Sequence, residues 1–223
     1  MRITLPSGTA AELATPWSGA AAQGLVVIPD IGGLRPLFDD LAARLAEEHH
    51  LAVCIPEPFP GLESQPLSWR LEHAGEVGDE RRLADLVAAA DATGVDVVGI
   101  IGFCMGGMYA LKAAGTGRFT RAVAFYGMVR VPDNWRSDGN VEPLDAVAAA
   151  GACPVLHIAG SEDQSTPAED LRALSEAGGT VIVYEDADHG FVHDPSRPAH
   201  RADHAADAWR NAMAFLDGEV LDA

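Results

Sequence analysis

Three short stretches of this 223-residue chain carry side chains that could do acyl chemistry. The first is Gly102-Phe103-Cys104-Met105-Gly106-Gly107, a thiol set between small residues. An apolar strand precedes it and a helix-like run follows, the pattern of a strained nucleophile turn with cysteine in place of serine. Side chains at 102 and 106 would clash in so tight a turn. The helix behind it aims N–H groups and a partial positive charge at the sulfur. That favours thiolate and supplies a donor for an oxyanion. The competing reading of a cysteine, packing as a small apolar group, suits Cys54 and Cys153, which lie inside apolar strands.

A thiol nucleophile needs a base, and the base needs an orienting acid. The second stretch, AGSEDQSTP, places Asp163 just past a strand, with Glu162 as a neighbouring competitor. The third, YEDADHGFVHD, places His189 past the next strand, with Asp186 and Asp188 as weaker acids nearby. The order nucleophile, acid, histidine matches a known triad arrangement. Two histidine pairs at helical spacing, His189/His193 and His200/His204, lack the H-E-x-x-H glutamate, so no metal site is expected.

The elements that must position these groups alternate. Strands are expected at 24–30, 51–57, 95–102, 121–127, 153–160 and 180–186, and helices at 35–48, 79–94, 105–114, 166–178 and 199–218. In the helix after Asp163, Thr166 is expected as N-cap and Pro167 at the first helical position. Residues 58–78, rich in Pro and Gly, read as a loop. The opening residues suggest a hairpin turning at PSGT. Such alternation implies an α/β fold, a mostly parallel doubly wound sheet with helices on both faces. Sites in such sheets lie at the carboxyl ends of strands. That prediction names Asp30, Glu57, Cys104, Tyr126, Asp163 and His189.

Composition narrows the class. A net charge of −18 repels phosphate backbones and anionic lipids, so neither nucleic acid nor membrane is an expected partner. Three widely spaced cysteines without a C-x-x-C pair argue against a disulfide framework or structural zinc. Lys112 is the only lysine, which reads as compositional bias. No apolar run is long enough to span a bilayer and the first residues lack a signal-peptide core. The expectation is one domain, 1–223, in the cytoplasm, monomeric, acting without a cofactor on a small molecule.

Taken together, GFCMGG, AGSEDQSTP, DADHGF, VVIPDIGG and the closing AADAWRNAMAFL resemble the dienelactone hydrolase family, α/β-hydrolases with a cysteine nucleophile. The resemblance covers nearly the whole chain. It implies a Cys104–His189–Asp163 triad hydrolysing lactones or small activated esters, with an oxyanion held by the N–H groups of Met105 and Ile31. It implies an acid at Asp30, where the family often has glutamate, that controls thiol ionisation. His193 stands where the family places an arginine that binds an anionic lactone. Arg35 and Arg197 are alternative sources of positive charge, and Arg70 lies in the loop that carries the family's other arginine. Phe59, Trp69, Phe103, Tyr126 and Trp135 are candidate pocket walls beside Arg35 and His193. Two other readings compete: a redox protein using Cys104, which would want a nearby resolving cysteine, and a binding module on a retired hydrolase scaffold.

Overall fold

Strands Leu51–Pro56 and Val98–Phe103 are buried at every position, so each must be covered on both faces. The computed structural model, which describes residues 1–219, meets that demand with one eight-stranded sheet between two helical layers. The strands are β1 (Arg2–Thr4), β2 (Ala10–Ala14), β3 (Gln23–Ile28), β4 (Leu51–Pro56), β5 (Val98–Phe103), β6 (Ala122–Phe125), β7 (Val155–Gly160) and β8 (Thr180–Tyr184). Their spatial order is β1-β2-β4-β3-β5-β6-β7-β8. The six from β4 to β8 run parallel, and β1 and β2 form an antiparallel edge beside β4.

The helices are α1 (Pro36–Glu48), α2 (Leu67–His73), α3 (Asp79–Ala92), α4 (Met105–Ala113), α5 (Pro143–Ala148), α6 (Ala168–Glu176) and α7 (Ala202–Leu216). Helices α1 and α7 press Phe38, Leu41, Leu45, Ala208 and Phe215 onto one face of the sheet. The opposite core takes Leu86, Met108, Leu111, Val147 and Leu174 from α3 to α6. After β3 the chain steps outward to β4, then crosses back to place β5 on the other side of β3. The ends of β3 and β5 therefore flank a topological switch point, the usual crevice of an open α/β sheet.

Three expectations are corrected, and two elements were not foreseen. Residues 58–78 are not all loop: α2 and a 3-10 turn, Ala74–Glu76, form there. Two short elements, the 3-10 turn Asp133–Trp135 and α5, carried too few residues to show a periodicity. Thr166 does not cap α6: Pro167 is the N-cap, and the Thr166 hydroxyl is buried without a partner in the described structure. Lys112 is no compositional accident. Its ammonium is buried and meets Asp79 at 2.7 Å, while Asp79 also accepts from Tyr109 at 2.6 Å and from the Val141 N–H at 2.7 Å. One carboxylate thus ties the helix after Cys104 to the loop before α5. Among the described residues no helix is long and apolar enough to cross a membrane.

Candidate active site

The site begins with backbone strain. Cys104 sits between β5 and α4 with φ 56° and ψ −119°, a conformation costing a non-glycine residue about 1–3 kcal/mol. Its neighbours make the turn possible. A Cβ on Gly102 would lie 2.0 Å from the Gly106 carbonyl oxygen, and one on Gly106 would lie 2.4 Å from that of Ile28. So α4 starts directly against the ends of β3 and β5, and the thiol is lifted into the crevice. Met105 is the first residue of α4, so its N–H has no carbonyl one turn earlier within the helix.

Behind the thiol stand the acid and the histidine. Asp163 is buried in the turn after β7, where the Ser165 N–H donates to its Oδ1 at 2.8 Å. His189 Nδ1 lies 2.8 Å from Asp163 Oδ2. Nδ1–H therefore donates to the acid and Nε2 is left for the sulfur. Burial alone would favour the neutral ring, but hydrogen bonds to Asp163 and Cys104, and their charges, lift His189 to about 10. Burial likewise opposes the charge on Asp163, and the His189 hydrogen bond outweighs it, holding the carboxyl below its ordinary range. Glu162, Asp186 and Asp188 are exposed, and Asp188 turns to the His189 backbone N–H.

Asp30, buried at the end of β3, is fully engaged. Its Oδ1 accepts from the Gly32 N–H at 2.8 Å and Arg35 Nη1 at 2.7 Å. Its Oδ2 faces Arg35 Nη2 at 2.9 Å and His193 Nε2 at 2.8 Å. None of these hydrogen bonds goes to Cys104. Burial would raise its pKa, but His193 and Arg35 hold the carboxyl far below the usual range. The other nitrogen of His193 meets the Tyr126 hydroxyl. Nε2–H donates to the Asp30 carboxylate, which only accepts. Burial first, then the neighbouring Cys104, raise the Tyr126 phenol well above its ordinary value, so it stays neutral. Its ring edge packs on His189, centroids 5.2 Å apart.

The loop after β3 is braced from beneath. Glu57, buried at the end of β4, accepts from the Leu34 N–H at 2.9 Å and the Phe59 N–H at 2.8 Å. Arg70, on the inner side of α2, donates to the carbonyls of Gly32 at 2.8 Å, Glu63 at 2.6 Å and Gln65 at 3.2 Å. Arg70 is thus spent on backbone and lies outside the cleft, a role its residue type did not reveal.

Above Cys104 and His189 opens a cleft of about 1380 Å³, which Ile31 and Arg35 also line. Of the expected pocket walls, Arg35 and Trp135 face it. Phe59, Phe103 and Tyr126 do not: each is fully buried and packs under the site. Nor does His193, whose side chain is 1% exposed and whose two nitrogens are taken by Asp30 and Tyr126. Trp69 stacks on His73 instead. Arg197 lines the cleft and makes no ion pair among the described residues. The side chains of the His189/His193 pair part: His189 faces Asp163 and His193 faces Asp30.

Comparison with known proteins agrees with this architecture. A Bradyrhizobium sp. protein described as "Probable 2-oxo-3-(5-oxofuran-2-ylidene)propanoate lactonase" is 33% identical over 92% of this chain and 88% of its own. A Rhodococcus opacus protein named carboxymethylenebutenolidase is 28% identical over 86% of this chain and 80% of its own. A crystal structure from Klebsiella pneumoniae, of a candidate dienelactone hydrolase, superposes with a TM-score of 0.85 at 26% identity, covering 97% of each chain. Residues 9–220 match the family model described as the dienelactone hydrolase family, and the chain belongs to that family.

Proposed function

We propose that the protein hydrolyses lactones or small activated esters by a thioester route on Cys104, without a cofactor. The observation that carries this reading is the His189–Asp163 pair at 2.8 Å, set behind a cysteine held at positive φ.

The raised basicity of His189 supports an imidazolium facing a thiolate in the resting site. The Cys104 sulfur attacks the acyl carbon, and the carbonyl electrons move to oxygen. The N–H groups of Met105 and Ile31 receive that oxyanion; removing one such donor typically costs about 10²–10³ in rate. As the oxyanion collapses, the bond from acyl carbon to ester or ring oxygen breaks, and His189 gives its proton to the departing oxygen. Neutral His189 then takes a proton from water, the hydroxide oxygen attacks the thioester, and the thiolate leaves as the acid is released. Asp163 orients the ring and stabilises its charged form. Thiolate suits activated esters and lactones better than amides.

Asp30 influences the thiol through the loop it shapes and through its charge, which Arg35 and His193 share. The names of the relatives point to a lactone as substrate. Arg197 on the cleft wall supplies positive charge for a carboxylate on it, whereas Arg35 is already paired with Asp30.

The test is hydrolysis of p-nitrophenyl acetate and a panel of lactones by wild type, Cys104→Ala and His189→Gln. Both variants are expected to lose at least about a hundredfold in kcat/KM, the scale of a positioned acid–base group. Turnover by Cys104→Ala at the wild-type rate would overturn the proposal.

A further inference from the structure

The cleft has a second wall that the hydrolytic chemistry does not use. Helix α2 turns Arg70 inward, while Leu67 and Leu71, one turn apart, share the outward face. They remain 53% and 46% exposed. Both line the cleft, and the other exposed large apolar residues of the described chain, Met1, Trp17, Val97 and Val183, do not. Opposite α2, the segment after β6 contributes Met128, Val131, Pro132 and Trp135.

The two halves of this wall are joined. The Leu71 carbonyl accepts from the Trp135 indole N–H at 2.8 Å and the Asn134 amide at 3.2 Å. Gly75 approaches the Trp135 carbonyl so closely that a Cβ there would lie 2.5 Å away. The apolar face is therefore a built surface, continuous with the crevice that holds Cys104. Because these two leucines line a concave cleft rather than a convex surface, they offer apolar contact to whatever the cleft holds. A cleft of about 1380 Å³ also exceeds the roughly 300–1,000 Å³ of ordinary ligand pockets, and an acetyl group would occupy a small corner of it.

We infer that the substrate is an ester or lactone carrying an apolar arm of about four or more carbons, laid along Leu67, Leu71, Met128, Val131 and Trp135. The inference rests on the hydrolase reading above and adds its substrate class. Arm contacts on α2 also bear on chemistry. Arg70 of the same helix grips the Gly32 carbonyl, next to the proposed oxyanion donor of Ile31, so energy from a remote arm can be expressed in kcat.

The experiment uses two homologous series: p-nitrophenyl acetate to octanoate, and acetate esters of straight-chain alcohols. In one series kcat/KM is expected to rise about two- to fourfold per methylene up to about six carbons, the range for partial to full burial of a methylene. In Leu67→Ser/Leu71→Asp that slope flattens, read as the ratio of longest to shortest ester. Inhibition of wild type by straight-chain carboxylates or alcohols of the same series should strengthen with chain length, which needs no variant. A flat profile in both series for wild type, with no gain in inhibition, overturns the inference. So does a slope that survives in the double variant. Loss of acetate hydrolysis in Cys104→Ala, measured alongside, keeps the hydrolase reading standing in either case, whereas its retention would sink that reading.

Discussion

Replacing Arg70 with methionine tests how the loop proposed to hold the oxyanion is braced. Arg70 is 6% exposed and donates to four backbone carbonyls, three of them at 2.8 Å, 2.6 Å and 3.2 Å and the fourth, Ile31, at a long 3.5 Å that is left out of the sum. A hydrogen bond with a charged donor is worth about 1.5–3 kcal/mol net, so simple addition would reach roughly 4–9 kcal/mol. Two things reduce that. Arg70 makes no ion pair within 4 Å among the described residues, so removing its charge relieves part of a burial cost, less what that charge gives to the nearby buried Glu57. Glu63 is also exposed, so water can replace the guanidinium there. The Gly32 carbonyl cannot be compensated as easily. The expected loss is about 2–4 kcal/mol, and for a chain of this size that lowers Tm by roughly 4–16 °C. If the brace positions the Ile31 N–H, kcat falls by about 10- to 100-fold, a fraction of a full donor loss, with KM little changed. Arg70→Lys, able to hold one carbonyl, should lie between. Thermal melts and p-nitrophenyl acetate kinetics read both effects. A lowered Tm with kcat within twofold of wild type would refute the positioning argument and leave Arg70 a strut of the fold.

Other predictions follow from the same geometry. Gly106→Ala would drive a Cβ to 2.4 Å from the Ile28 carbonyl, so we expect at least about 3 kcal/mol of destabilisation, seen as a lower urea midpoint; an unchanged midpoint would mean the elbow can open. His189, lifted to about 10 by Asp163 and Cys104 against burial, should show imidazolium shifts in NMR at pH 8, and its pKa should fall in Cys104→Ala. Because the folded value lies above the ordinary 6.5, this contact stabilises fully below pH 6.5 and is lost as pH rises through about 10. Tm of wild type should therefore decline over that window more than that of Cys104→Ala, and parallel curves would contradict the pairing. Burial pushes Cys54 up to about 12 and Cys153 to about 11, so iodoacetamide at pH 7.5 should label Cys104 alone, as peptide mapping would show.

Much of this architecture is legible in the order of residues, for reasons that differ by element. Buried parallel strands are continuous apolar runs, so β3 to β7 announce themselves, and the residues just after them follow. Cys104 was visible because a nucleophile turn is local: its glycines are within two residues of the thiol. Asp163 and His189 were visible as strand exits. What no local pattern carries is the face a side chain takes and its distant partner. Phe103 and Tyr126 are aromatics at the crevice in sequence, yet both turn into the core beneath it. His193 reaches Asp30 across 163 positions, so its burial came from contacts that the YEDADHGFVHD motif does not encode. Arg70 and the Leu67/Leu71 face were hidden because a helix of seven residues, flanked by prolines and glycine, shows too little periodicity to be read.

The measurement that tests the central claim most directly is intact-protein mass spectrometry during turnover of a slow aryl ester, quenched in acid. The account predicts an added mass equal to the acyl group, mapped by peptide digestion to Cys104 and absent from Cys104→Ala. Hydrolysis that depends on Cys104 yet shows no acyl adduct under single-turnover conditions, or an adduct on any other residue, would contradict it.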